Sequence, residues 1–171
     1  MVGLGLVLGM NIFNSLPSHE RDEPIFTPEG GPPRTDGIPS AVYEAMGEEQ
    51  IVAFFHAFYR RLGESAIADM FPKSEKNLMR AAEKSADMFT FLFGGPHLYQ
   101  RKHGQPMMRA RHIPFVITEE GRQEWLRCYR ETLDEAPEQF AMPSEHVDAV
   151  WKFVVAFSGW MVNAEKPGGA K

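Results

Sequence analysis

The chain is expected to fold as an all-α protein, a single helical domain preceded by an N-terminal extension rich in Pro and Gly. Three observations carry this expectation. After Ser40 the prolines thin out and leave proline-free windows at 40–71, 73–95, 115–136 and 144–166. Within each window apolar residues recur at spacings of three and four, the period of a helix with one buried face. No segment alternates in the manner of a half-buried strand, and no stretch repeats another.

The 171 residues suit one domain: residues 41–164 form the helical body, 1–40 an irregular extension and 165–171 a flexible tail. Hydrophobic residues make up 43% and charged residues 24%, ordinary globular usage that excludes a disordered or multispanning chain. A net charge of -5 gives no basic footprint for nucleic acid. The lone Cys128 excludes an internal disulfide, which fits a reducing compartment. Residues 1–16 are uncharged, yet they lack the basic start and small-residue cleavage site of a signal peptide and are too short to span a bilayer. A cytoplasmic protein is expected, with a weak interfacial contact or a misassigned start as alternatives.

Residues 24–39 hold five prolines and three glycines, which oppose both helix and sheet and predict an extended arm. In the first window Val42, Ala45 and Met46 are helically spaced up to Gly47, where Glu48 and Glu49 suit the first turn of a second helix. That helix carries Ile51, Phe54, Phe55, Phe58, Tyr59 and Leu62 on one face. The next window places Leu78, Ala81, Ala82, Ser85, Met88, Phe89 and Leu92 on one face and stops at Gly94-Gly95-Pro96. Between Pro96 and Pro114 a loop is expected with one short helix starting at Pro106, because proline suits a first helical position. The residue before Pro114 is biased away from helix, so His112 sits at the end of that short helix. Two more helices follow: one from Thr118 with Trp125, Tyr129 and Leu133, the other from Ser144 with Val147, Val150, Trp151, Val154, Phe157, Ser158 and Met161.

The common catalytic signatures are absent: no P-loop, no G-x-S-x-G, no H-E-x-x-H, no G-x-G-x-x-G. Cys128 reads as a small buried hydrophobe, since no base lies near it in sequence. Six histidines occur without a zinc-type spacing. Haem iron takes its equatorial bonds from the porphyrin and needs only one imidazole from the protein. His112 has favourable neighbours for that role: Met108 one turn before it, Phe115 after it, and Arg109 and Arg111 within reach of haem propionates. The alternative for the same residue is an exposed or hydrogen-bonded surface histidine.

The run FGGPHLYQRKHGQPMMRARHIPF from Phe93 to Phe115, followed by Trp125-Leu126-Arg127-Cys128, resembles the truncated haemoglobins, specifically group II. The likeness runs from about Ala41 to Ala164. It implies a two-over-two helical sandwich, a shortened globin whose first helix is reduced and whose proximal helix is mostly loop. By position, it implies His112 as the iron ligand, Tyr59 as the tyrosine facing bound gas, Phe71 as an aromatic packed on the haem and Trp125 as a second gas-facing donor. Ala81 and Ser85 match the two positions on the next helix nearest the gas. Ser85 departs from the family pattern, where an apolar or amide residue is usual. Lys84, Arg111 and Tyr99 match positions that pair with propionates.

The function implied is that of a haem b protein binding dioxygen, nitric oxide or carbon monoxide, as monomer or homodimer. Its role is oxygen storage or transfer, or redox detoxification of nitric oxide or peroxide. A nitric oxide dioxygenase or peroxidase-like cycle needs a separate reductase, because the chain shows no flavin or nicotinamide site. From a different class, a haem-free helical interaction or gas-sensing module would use the Pro-rich arm to bind a partner.

Overall fold

The computed structural model describes residues 24–35 and 37–164. The expectations for residues 1–23 and for the tail at 165–171 lie outside the described residues. The described residues are helical or irregular, without strand. Helix α1 spans Ala41–Gly63 and is broken at Gly47, whose φ of 65° and ψ of 175° end a short first segment and begin the long one. A single 3-10 turn, Ala68–Met70, leads to Phe71. Helix α2 spans Glu75–Leu92 and starts where Ser74 Oγ accepts the Asn77 N–H. Two short helices follow, α3 at Leu98–His103 and α4 at Met108–His112. Helix α5, Glu119–Gln139, is capped by Thr118 Oγ1 accepting the Gly121 N–H. A 3-10 turn at Ser144–His146 precedes α6, Val147–Met161.

The packing order is α1 on α2, α5 on α6, and α1 across α5, which stacks one helix pair on the other. This is the expected two-over-two sandwich. The apolar faces of α1, α2 and α5 meet in an aromatic cluster centred on Tyr129. The Tyr129 ring lies 5.0 Å from Phe58, 5.4 Å from Phe54 and 5.3 Å from Trp125 by ring centroids. The Phe58 and Phe54 contacts are edge-on and that of Trp125 is stacked; such aromatic pairs add about 0.5–1.5 kcal/mol each beyond burial.

The Gly94-Gly95 stop is also a point of close approach. Gly94 has φ of 96°, and a Cβ there would lie 2.5 Å from Ser40 Cα; one on Gly95 would lie 2.5 Å from the Tyr43 ring. The end of α2 is thereby pressed against the start of α1, and the Tyr43 N–H donates to Phe93 O. Only glycine allows both the backbone turn and the contact.

Five local expectations are corrected. The segment 96–114 holds two short helices, α3 having escaped notice because six residues carry too little periodicity. The second starts at Met108 instead of Pro106, since Met107 is left-handed at φ 39° and turns the chain between them. Ile113 stays right-handed despite preceding Pro114, held by its N–H to Arg109 O. Pro137 lies inside α5, in the last turn, where its missing N–H removes a single bond. The last helix begins at Val147, with Ser144 in the turn before it.

The described part of the arm, residues 24–35 and 37–40, meets the body at several points. The Phe26 N–H donates to Asn163 O, Ile38 is buried in the core, and Pro32, Pro33 and Thr35 cover part of a cavity. Among the described residues no helix is long and apolar enough to cross a membrane.

The Tyr129 hydroxyl is fully buried and has no hydrogen-bond partner among the described residues, and burial pushes its pKa well above the usual phenol value. An unmet buried hydroxyl costs about 1–3 kcal/mol. Tyr129→Phe is therefore expected to raise the unfolding free energy by about 1 kcal/mol in urea titration; a loss of stability would show that the hydroxyl is satisfied.

Candidate functional site

The residues of the candidate site come from five elements: Tyr59 from α1, Ala81, Lys84, Ser85 and Met88 from α2, Phe71 from the loop after the 3-10 turn, Trp125 from α5, and Met108 and His112 from α4. Tyr59 and His112 are both half-buried.

The Tyr59 and Ser85 hydroxyls are joined by a 2.6 Å hydrogen bond across α1 and α2. This places Ser85 on the α2 face toward Tyr59, and Ala81, one turn earlier, shares that face. Phe71 packs edge-on against Tyr59 at 5.8 Å. Trp125 stands perpendicular to Phe58 at 5.2 Å and stacks on Tyr129, so the core cluster supports it from behind. Burial raises the Tyr59 pKa and the Ser85 bond lowers it in part, so the phenol keeps its proton and remains a donor.

On α4 His112 Nδ1 lies 2.7 Å from Met108 O. A carbonyl can only accept, so Nδ1 carries the proton and the Nε2 lone pair faces away from the helix. Burial, opposed by the Met108 bond and joined by the charge of Lys84, lowers the His112 pKa and keeps the ring neutral. Phe115 lies 6.1 Å from the imidazole.

Lys84 and Arg111 approach the buried Tyr99 ring at 5.8 Å and 6.0 Å. Arg111 is held by the carbonyls of Pro106 at 2.9 Å and Gln105 at 3.0 Å. Desolvation, then the Arg111 charge, lowers the Lys84 pKa. Two cations brought together at an aromatic edge favour an anionic group between them. Met88, Leu92, Met108, Phe153, Phe157 and Trp160 line an apolar pocket of about 230 Å³ that Pro32, Pro33 and Thr35 of the arm border.

Arg109 is a correction to the propionate set. Its guanidinium donates to the carbonyls of Trp160, Val162 (3.1 Å) and Phe26 (2.7 Å), on the far side of α4 from Tyr99. Met88, Phe157, Trp160 and Asn163 were not singled out as site residues. The first three read as helix-face or tail apolar residues, and nothing in the sequence marks Asn163.

The donor set fits haem. A single neutral imidazole with its second nitrogen tethered is the form that binds iron, two cations match two carboxylates, and the remaining walls are apolar or aromatic. Among the described residues no cluster of three or more His, Cys, Asp or Glu could hold a bare metal ion.

A stacked pair of helix pairs with a proximal-type histidine on a short helix defines a shortened globin. The Bacterial-like globin family matches residues 41–163, and the chain belongs to it, a truncated haemoglobin of group II type and hence a haem-binding globin. Group 2 truncated hemoglobin YjbI of Bacillus subtilis is 39% identical over 95 residues, which cover 56% of this chain and 70% of that protein. Two-on-two hemoglobin-3 of Arabidopsis thaliana is 27% identical over 57% of this chain and 56% of its own length. Among solved structures, phosphate-bound Hell's gate globin IV superposes with a TM-score of 0.71 at 31% identity, covering 78% of this chain and 81% of that one. The truncated oxygen-avid haemoglobin from Bacillus subtilis gives 0.63 at 34% identity, covering 71% and 98%.

The Tyr59–Ser85 bond is testable by a double-mutant cycle. Ser85→Ala is expected to lower the unfolding free energy by about 1–2 kcal/mol, with a coupling to Tyr59→Phe of about 1 kcal/mol in urea unfolding. A coupling near zero would mean the hydroxyls do not meet.

Proposed function

We propose that the protein binds haem b through His112 and uses it to bind dioxygen and other diatomic gases. The observation that carries this reading is the tethered imidazole. The Met108 carbonyl occupies Nδ1 and leaves Nε2 free as a neutral ligand; in this reading the hydrogen-bonded Tyr59–Ser85 pair stands across the haem from it. Bound haem supplies an iron that takes diatomic gases reversibly. Every other part of the function belongs to the chain. Lys84 and Arg111 receive the propionates beside Tyr99, and Phe71, Met88 and Met108 exclude water. Phe115 buttresses the His112 ring.

On the gas side, Tyr59 donates its O–H to the bound ligand. The Ser85 hydroxyl can turn its own O–H onto the Tyr59 oxygen, which frees the phenol proton for the ligand. Trp125 N–H is the second donor, and Ala81 leaves room. Donors aimed into a dry pocket strengthen each bond and slow ligand release. Slow release suits chemistry on bound oxygen more than bulk delivery, so redox detoxification of nitric oxide or peroxide with a separate reductase is the working role. A cytoplasmic location accords with a protein drawing on such a reductase.

The test is the absorption spectrum with haemin, oxidised, reduced, and reduced under carbon monoxide or oxygen. A stoichiometric Soret band that shifts with each ligand is expected. His112→Gly is expected to lose stable haem unless imidazole is added. Tyr59→Phe and Trp125→Phe are each expected to keep haem and release oxygen about tenfold faster, the equivalent of one hydrogen bond. Weak haem binding unaffected by His112→Gly would overturn the reading.

A further inference from the structure

Helix α4 has five residues, too few to hold its own geometry, and His112 is the last of them. The Met108 bond fixes the ring against the helix, yet it does not fix the helix against the body. That second task falls on two side chains outside the pocket.

Asn163, just past α6, is 1% exposed and uses both ends of its amide on the segment that carries His112. Its Nδ2 donates to His112 O at 3.1 Å, and its Oδ1 accepts the Ile117 N–H at 3.0 Å. The Asn163 and Ala164 N–H groups both donate to Ile117 O, at 3.0 Å and 3.2 Å. One side chain thus closes the loop 113–116 at its two ends. On the other side of the histidine, Arg109 ties α4 to the chain leaving α6 through the carbonyls of Trp160 and Val162. The arm joins the same node: the Phe26 N–H donates to Asn163 O, and Phe26 O accepts from Arg109.

We infer that Asn163, with Arg109 as its counterpart, is a positioning residue for His112, setting where the imidazole stands against the haem and tying residue 26 of the arm to that position. This rests on the reading that His112 is the haem ligand. The amide is the right group because the site needs one donor and one acceptor on a short stem. An aspartate retains the acceptor for Ile117 and loses the donor to His112; an alanine loses both. Groups that orient a metal-binding imidazole act on affinity without touching the metal.

The experiment compares Asn163→Asp, Asn163→Ala and Arg109→Lys in the haem-loaded full chain. Resonance Raman of the ferrous protein reads the iron–histidine stretching band, and transfer to excess apomyoglobin reads haem loss. Asn163→Asp and Asn163→Ala are both expected to shift the band and to speed haem loss about tenfold. Asn163→Asp is expected to keep more of the thermal stability than Asn163→Ala, because the Ile117 bond survives. Arg109→Lys, which leaves Asn163 intact, is expected to shift the band in the same direction and keeps the test open should a buried aspartate fail to fold. If Asn163→Asp restores the band and the haem-loss rate along with stability, or if all variants lose only stability, Asn163 is structural and the inference falls. A parallel His112→Gly sample separates the two claims: haem retained there, without imidazole, defeats the ligand assignment itself.

Discussion

The bond from His112 Nδ1 to the Met108 carbonyl is the constraint around which the proximal half is arranged. It sets the tautomer, and the tautomer decides which nitrogen can bind a metal. A helix is needed for it, because only a residue four places earlier offers its carbonyl at that position. One turn is sufficient, so α4 can be as short as it is. Its shortness transfers the work of placement to Arg109 and Asn163, both of which bind main-chain groups.

The distal half solves a different problem. In the proposed reading Tyr59 must keep its proton and also be free to offer it, and burial alone secures only the first. The Ser85 hydroxyl, which can either accept from the phenol or donate to it, would supply the second. The aromatic cluster behind Trp125 holds that ring in place. The rigidity has a cost in the buried Tyr129 hydroxyl, which packs among rings and meets no acceptor among the described residues.

The four long helices were legible because their apolar spacings persist over several turns, and Gly47 and the Gly94-Gly95 pair were legible because few conformations accept only glycine. The resemblance assigns His112, Trp125 and Arg111 through the ordered segment from Phe93 onward, and Tyr59 and Lys84 by their positions before it. The contact of Ser85 with Tyr59 joins two helices, and no local pattern carries that information. Arg109 misled because a guanidinium near a proximal histidine has two sets of acceptors within reach, propionates on one side and carbonyls on the other. Which side it faces depends on the tail of α6, some fifty residues away. Asn163 was invisible for the same reason, as a polar residue after a helix that looks like any other loop position. Pro137 shows the converse, a strong local stop signal overridden because a last helical turn can spare one N–H.

The tether at Phe26 uses only that residue's N–H and C=O. Such a tie is blind to side-chain identity, and any residue other than proline satisfies it. Of the two partners of Phe26 only Arg109 contributes a side chain, because the Phe26 N–H meets the main-chain carbonyl of Asn163. A substitution at Arg109 therefore cuts its half of this tie, whereas one of the Asn163 side chain leaves both halves standing.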